Sequence, residues 1–295
     1  MPANFPAPFA SRFFVQLDGA RLDGARPDGA RQHYLDEGQG EPLVCVHGNP
    51  TWSFFFREVL RQFSAARRVI APDHIGMGLS AKPQNYPYRL ATHIDNLDRL
   101  LAAVAPDGKI NLLLHDWGGA IGMGWATRHP DRVGKIILMN TAAFLSPKMP
   151  PLIALARTPL LGDLVIRGLN AFVRVANVTT TVKPLPAAVK AGYAAPYDNW
   201  QDRIAVARFV QDVPMNARHP SYAALKQIDE NLSLLRGRPL LLQWGGRDWC
   251  FHEWFYQEWL RRFPDAERDY YPDAGHYLLE DAGEKVLARI AEFLN

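Results

Sequence analysis

Residues 110–128 constrain this chain more than any other stretch. The apolar run INLLL is followed by HDWGG and then by AIGMGWATR. A five-residue, mostly apolar run ending in a glycine-bearing turn reads as a buried strand. The next segment reads as a helix over 120–128. Gly118 and Gly119 lack the side chains that would keep such a helix off the strand. Asp116 stands at the apex of the turn, where hydrolytic enzymes on parallel sheets ordinarily carry serine. A chain built around this unit needs a sheet with helices on both faces.

The rest of the sequence supplies one. Strands are expected at 13–17, 32–35, 43–46, 69–71, 110–114, 136–139, 240–244 and 267–271. Between them, helical spacing marks 53–63, 92–104, 120–128, 252–263 and 284–294. Short apolar strands alternating with amphipathic helices imply an α/β fold with a mostly parallel, eight-stranded sheet flanked by helices. Residues 141–235 break the alternation, with many prolines between short helical patterns. We read 1–140 and 236–295 as the α/β core and 141–235 as a helical cap, inserted after the sixth strand. It would roof the carboxyl edge of the sheet, where open α/β folds bind ligands. A small repeat, DGAR at 18–21, 23–26 and 28–31, has too short a period for a solenoid and reads as an expanded hairpin loop.

Composition closes several alternatives. Net charge is +3 with the basic residues dispersed, so nucleic acid is not an expected partner. No apolar stretch is long enough for a membrane span. The opening MPANFPAPFASRFF lacks the charged and apolar regions of a secretory signal. The two cysteines, Cys45 and Cys250, make no disulfide framework, and Cys45 reads as a buried thiol. These features together lead us to expect a cytoplasmic protein.

Four clusters fall at the carboxyl ends of expected strands: His47-Gly48-Asn49-Pro50, His115 to Gly119, Trp244 to Asp248, and Asp273 to His276. Their chain order is nucleophile, acid, histidine. A serine that attacked an sp3 carbon would leave an inert ether. An aspartate leaves an ester that water opens at the carbonyl. Asp116 therefore points to displacement at an alkyl carbon. His276 would activate water, and Asp248 would orient His276. The backbone N–H groups of Asn49 and Trp117 would hold the oxyanion. A departing halide needs neutral, dry donors, which the Asn49 amide and the Trp117 indole supply. No metal and no organic cofactor is called for.

These residues resemble the haloalkane dehalogenase family of the α/β-hydrolase fold. The matching segments are HGNPTWSFFFR (47–57), APDHIGMGLSAKP (71–83), HDWGGAIGMGWATRHPDRV (115–133), WGGRDWCF (244–251) and the region 263–281. The resemblance assigns Asn49 and Trp117 to halide binding. One subfamily carries a Glu after the sixth strand; here Met139-Asn140-Thr141 has none, which leaves Asp248 as the acid. That pattern is similar to the third dehalogenase subfamily, which takes in close relatives of the β-lactone decarboxylases of long-chain olefin biosynthesis. Cap segments NTAAF (140–144), RGLNAF (167–172), RFVQDVP (208–214) and HPSY (219–222) look like that group. Its members tend to self-associate, so the resemblance also implies a homo-oligomer. One departure is Leu114, two residues before Asp116, where glycine is usual.

The expected activity is hydrolysis of halogenated alkanes through an alkyl-aspartate ester, with halide as product. The alternative keeps Asp116, His276 and Asp248 but opens a small, apolar β-lactone to an alkene. Tyr193 and Tyr197 raise a third reading, because epoxide hydrolases share HDWGG and use two cap tyrosines; Asn49 weighs against it. A fourth is a non-enzymatic scaffold, for which loss of Asp116 would change nothing. His47 and Asp73 read as loop braces and His115 as a buried structural histidine. Trp52 and residues 54–56 read as core or pocket. Phe144, Phe172, Trp200 and Phe209 are candidate tunnel walls.

Overall fold

The structure, a computed structural model, describes residue 5 and residues 8–16, 29–158 and 160–295. Strand runs and helical runs alternate as the apolar pattern requires. The strands are β1 (Ser11–Gln16), β2 (Ala30–Glu37), β3 (Pro42–Val46), β4 (Arg68–Pro72), β5 (Ile110–Asp116), β6 (Val133–Thr141), β7 (Leu240–Gly245) and β8 (Glu267–Tyr271). They form one sheet in the order β1-β2-β4-β3-β5-β6-β7-β8. β1 and β2 pair antiparallel, β2 runs antiparallel to β4, and every other pairing is parallel. The hairpin read around the repeat is present as the β1–β2 pair, but residues 18–28 lie outside the described residues.

Alternate residues of the central strands feed two cores. Val44, Val46, Leu112, Leu114, Ile136, Leu138 and Leu242 pack on one face. Leu43, Cys45, Leu113, Ile137, Met139 and Leu241 pack on the other. This is why those strands are apolar without alternation: both faces are covered. The first face is closed by helices α2 (Leu90–Val104), α3 (Trp117–Arg128) and α10 (Glu253–Arg262). The second is closed by α1 (Arg57–Phe63), α11 (Leu278–Asp281) and α12 (Gly283–Leu294). Trp52 and Phe54 to Phe56 are buried in this second core and do not line the cavity that Asp116 reaches. Leu114 finds its room across the sheet face rather than in the neighbouring strand. A Cβ on Gly122 of α3 would lie 2.3 Å from a Leu114 methyl, so the missing side chain of the helix makes space for the added one of the strand.

The inserted region carries α4 (Pro151–Ala156), α5 (Leu161–Asp163) with a π turn at Leu164–Gly168, α6 (Ala171–Thr179), α7 (Ala187–Ala194), α8 (Ile204–Gln211) and α9 (Tyr222–Asn231). It spans two environments. Ile153, Ile166, Val173, Tyr197, Val206 and Val210 form a small core of their own. Ile228 of α9, with Leu232 and Leu235, joins the core beneath α3. Among the described residues no helix is long and apolar enough to cross a membrane.

Candidate active site

The turn after β5 puts Asp116 in an unusual backbone conformation, with φ +53° and ψ −128°. That is a costly region for a residue with a Cβ, and it persists because its surroundings fix it. The Thr141 hydroxyl, at the end of β6, donates to the Asp116 carbonyl. The Asp116 side chain caps α3, accepting from the Trp117 N–H. A second backbone donor, Asn49 N–H, lies 2.9 Å from the same oxygen, Oδ1. The two amides therefore engage one carboxylate oxygen. The other, Oδ2, faces His276 Nε2 at 3.3 Å. Gly48 is indispensable to this approach, because a Cβ there would sit 2.0 Å from Oδ1.

His276 donates through Nδ1 to Asp248 Oδ2 at 2.7 Å. Asp248 is saturated: Oδ1 accepts from the backbone N–H of Cys250 and Phe251, and Oδ2 also accepts from Asn140 Nδ2 at 2.9 Å. Burial alone would push His276 down. The carboxylates of Asp248 and Asp116 outweigh it and raise its pKa to about 10. Burial would raise Asp116, but hydrogen bonding and charge from His276 hold it below the usual carboxylate range. Both shifts favour the charged forms, a carboxylate beside an imidazolium.

The residues read as braces behave as braces. Asp73 accepts from the N–H groups of Ser53 and Leu79 and from His33 Nδ1, tying the loop after β3 to the loop after β4. His47 donates from Nδ1 to the Gly48 carbonyl and accepts from the His74 N–H at Nε2. His115 is fully buried and donates from Nε2 to the His276 carbonyl at 2.9 Å. Burial, aided by the charge of His276, lowers the His115 pKa to about 3 and keeps it neutral.

Above Asp116 lies a cavity of about 150 Å³ with largely apolar walls, including Trp117, Phe144, Ile153, Phe172, Phe251 and Tyr277. Asn49, Asp116 and His276 also reach it. The Trp117 ring packs edge-on against Phe209, at 5.4 Å between centroids. No described residue accepts its indole N–H. The Asn49 amide is anchored by Nδ2 to the Val206 carbonyl at 3.1 Å, and its Oδ1 has no partner among the described residues. Of the expected tunnel residues, Phe144 and Phe172 line the cavity. Trp200 instead stacks under Arg167 at the surface, and Phe209 backs Trp117 from behind. Neither Tyr193 nor Tyr197 lines it; the Tyr193 hydroxyl donates to Glu280 in a network with Arg57. The tyrosine pair that epoxide opening requires is absent from the cavity wall.

Two contributors escaped the sequence reading. Asn140, with φ +36°, clamps Asp248 and the Gly245 backbone. It occupies the position noted only for lacking a carboxylate, and an amide there that faces an acid one strand away is the signal that was passed over. Tyr277, next to His276, is buried and lines the cavity.

The model of the alpha/beta hydrolase fold matches residues 41–283. The chain is 40% identical to the cis-3-alkyl-4-alkyloxetan-2-one decarboxylase of Shewanella oneidensis, over 89% of this chain and 84% of that protein. It is 42% identical to the protein of the same name from Xanthomonas campestris, over 88% and 91%. It is 32% identical to haloalkane dehalogenase 2 of Mycobacterium tuberculosis, over 97% and 95%. The haloalkane dehalogenase DatA from Agrobacterium tumefaciens superposes with a TM-score of 0.82 over 96% of both chains at 24% identity, a likeness of fold alone. The chain belongs to the α/β-hydrolase fold family, in the group that contains haloalkane dehalogenases and oxetan-2-one decarboxylases.

Proposed function

We propose that this protein decarboxylates β-lactones bearing alkyl chains, with Asp116 as a nucleophile toward sp3 carbon. The observation that carries the reading is the fixed orientation of the Asp116 carboxylate. Two amides engage Oδ1, and Oδ2 is left beside His276 at the floor of an apolar cavity. Greater identity to the two oxetan-2-one decarboxylases than to the dehalogenase supports putting the lactone before the haloalkane.

The chemistry balances without water or a redox partner. Oδ2 attacks ring carbon C4, the C4–O bond breaks, and the ring oxygen becomes part of a free carboxylate. The C2–C3 bond then breaks. CO2 leaves, its electron pair forms the C3=C4 double bond, and Asp116 departs as a carboxylate. Attack inverts C4, which leaves the two groups to be expelled anti to each other. Anti elimination then turns a cis-disubstituted ring into a Z alkene. The His276 imidazolium stabilises Asp116 before attack and again as it leaves. Trp117's indole N–H meets the oxygen that gains charge as the ring opens. Apolar walls leave the new carboxylate poorly solvated, which favours loss of CO2.

The donor pair Asn49 and Trp117 keeps a second reading open: displacement of halide from a haloalkane, followed by hydrolysis of the alkyl ester. Esterification removes the Asp116 charge, one of the two carboxylates that raise His276. His276 would then release its proton more readily and act as the base on water. Parallel assays decide between substrates. With a cis-3,4-dialkyl β-lactone and a 1-bromoalkane of matching length, the expected result is Z alkene and CO2 in equal amounts, on the order of a hundredfold faster than bromide. Fast bromide release with negligible alkene reverses the assignment.

A further inference from the structure

Three successive helical segments of the cap each turn an apolar pair, spaced i and i+3, toward solvent. They are Leu152 and Leu155 on α4, Leu161 and Leu164 on α5 and its π turn, and Val175 and Val178 on α6. Leu155, Leu164 and Val178 are 59%, 58% and 67% exposed. Isolated exposed leucines need no explanation, but a repeated pair on adjoining elements does. Leu152 and Val175 also line the cavity over Asp116, so the exposed apolar face runs into the cavity wall.

The charge of this region is one-sided. Between residues 145 and 190 there are six lysines and arginines and a single acid, Asp163, in a chain whose net charge is only +3. Asp163 is already paired with Arg208 at 2.9 Å. Lys148, Arg157 and Arg174 make no ion pair among the described residues, and Lys148 lines the cavity beside Leu152.

We infer that the outer face of α4 to α6 docks on an anionic lipid surface, so that the cavity opens toward the layer in which long alkyl chains dissolve. Apolar side chains entering the acyl boundary, with cations beside them at the headgroups, are what such a surface binds. A second copy of this chain suits the face less well. Symmetric pairing would set Lys148, Arg157 and Arg174 against their own kind, with no free acid between them. The inference extends the lactone reading to the delivery of its substrate. Its test measures lipid binding, not turnover, so the two fail separately.

The experiment is co-sedimentation of the full chain with vesicles of phosphatidylcholine alone and with about a third phosphatidylglycerol added. The expected result is binding to the anionic vesicles, reduced about tenfold or more in the double variant Leu155→Asp, Leu164→Asp. A several-fold loss is expected for Arg174→Gln and in high salt. Neither leucine lines the cavity, so unchanged circular dichroism and unchanged turnover of a short, water-soluble substrate establish that the double variant is intact. No pelleting with anionic vesicles overturns the inference, as does equal binding by the double variant or equal binding to neutral vesicles. So does self-association of the wild-type chain, without lipid, that the double variant abolishes.

Discussion

The floor and the roof of the cavity are built on opposite principles. At the floor, polar groups that follow β3, β5, β6, β7 and β8 hold one another through hydrogen bonds of 2.7–3.1 Å, and Asp248 alone accepts four. At the roof, short helices enclose a small apolar core and present leucines both to the cavity and to solvent. A polar network with its donors and acceptors matched has one low-energy arrangement, whereas an apolar surface tolerates many. On the proposed reading, the reaction belongs to the floor and the choice of substrate to the roof.

That contrast breaks if the floor tolerates change. Asp116→Ala should lower alkene and CO2 release by about 10⁴-fold or more, with the circular dichroism of the folded chain unchanged. Retained turnover would refute the nucleophile and revive the scaffold reading. Gly48→Ala introduces a Cβ 2.0 Å from Oδ1. Misplacing the carboxylate by that contact should cost on the order of a hundredfold in kcat, with normal circular dichroism. Wild-type rates in that variant would mean the two-amide clamp is not required.

The roof should respond differently. Phe172→Ala widens the cavity wall and should shift chain-length preference through KM by about tenfold, leaving kcat for the best substrate within a few-fold. A collapse of kcat across all chain lengths would make the roof part of the chemistry. The smallest effect is on stability. His276 is raised to about 10 in the folded chain, so its stabilisation is complete below its unfolded value and fades as pH climbs through about 10. Asp116 is depressed, so its share is present above its unfolded value and is lost as pH falls through the depressed one. Asp248→Asn should move the alkaline loss to lower pH in thermal melts. An unchanged alkaline limb would remove Asp248 as a cause of the His276 shift.

The same contrast explains what could be read from the sequence. The floor is encoded locally: HGNP, HDWGG and WGGRD each follow an apolar strand, DAGH follows the polar edge strand β8, and strand ends converge in a parallel sheet. The eight strands fell within a few residues of their expected places for the same reason. Asn140 was harder, because its partner Asp248 is 108 residues away and only the adjacency of β6 and β7 joins them. The roof is encoded non-locally. Nothing in the spacing of Phe144, Phe172, Trp200 and Phe209 says which two face the cavity; that depends on how α6 and α8 pack. The rival role of Tyr193 and Tyr197 was undone in the same way, by Glu280 and the cap core claiming them first.

The central claim is that Asp116 Oδ2 bonds to a substrate carbon. The most direct measurement is prolonged incubation of the His276→Phe variant with a 1-bromoalkane, followed by peptide mass analysis and bromide titration. The account expects one equivalent of bromide and an alkyl group retained on the peptide containing Asp116, since no base remains to open the ester. Bromide release that continues past one equivalent, or alkylation at any other residue with Asp116 unmodified, contradicts it.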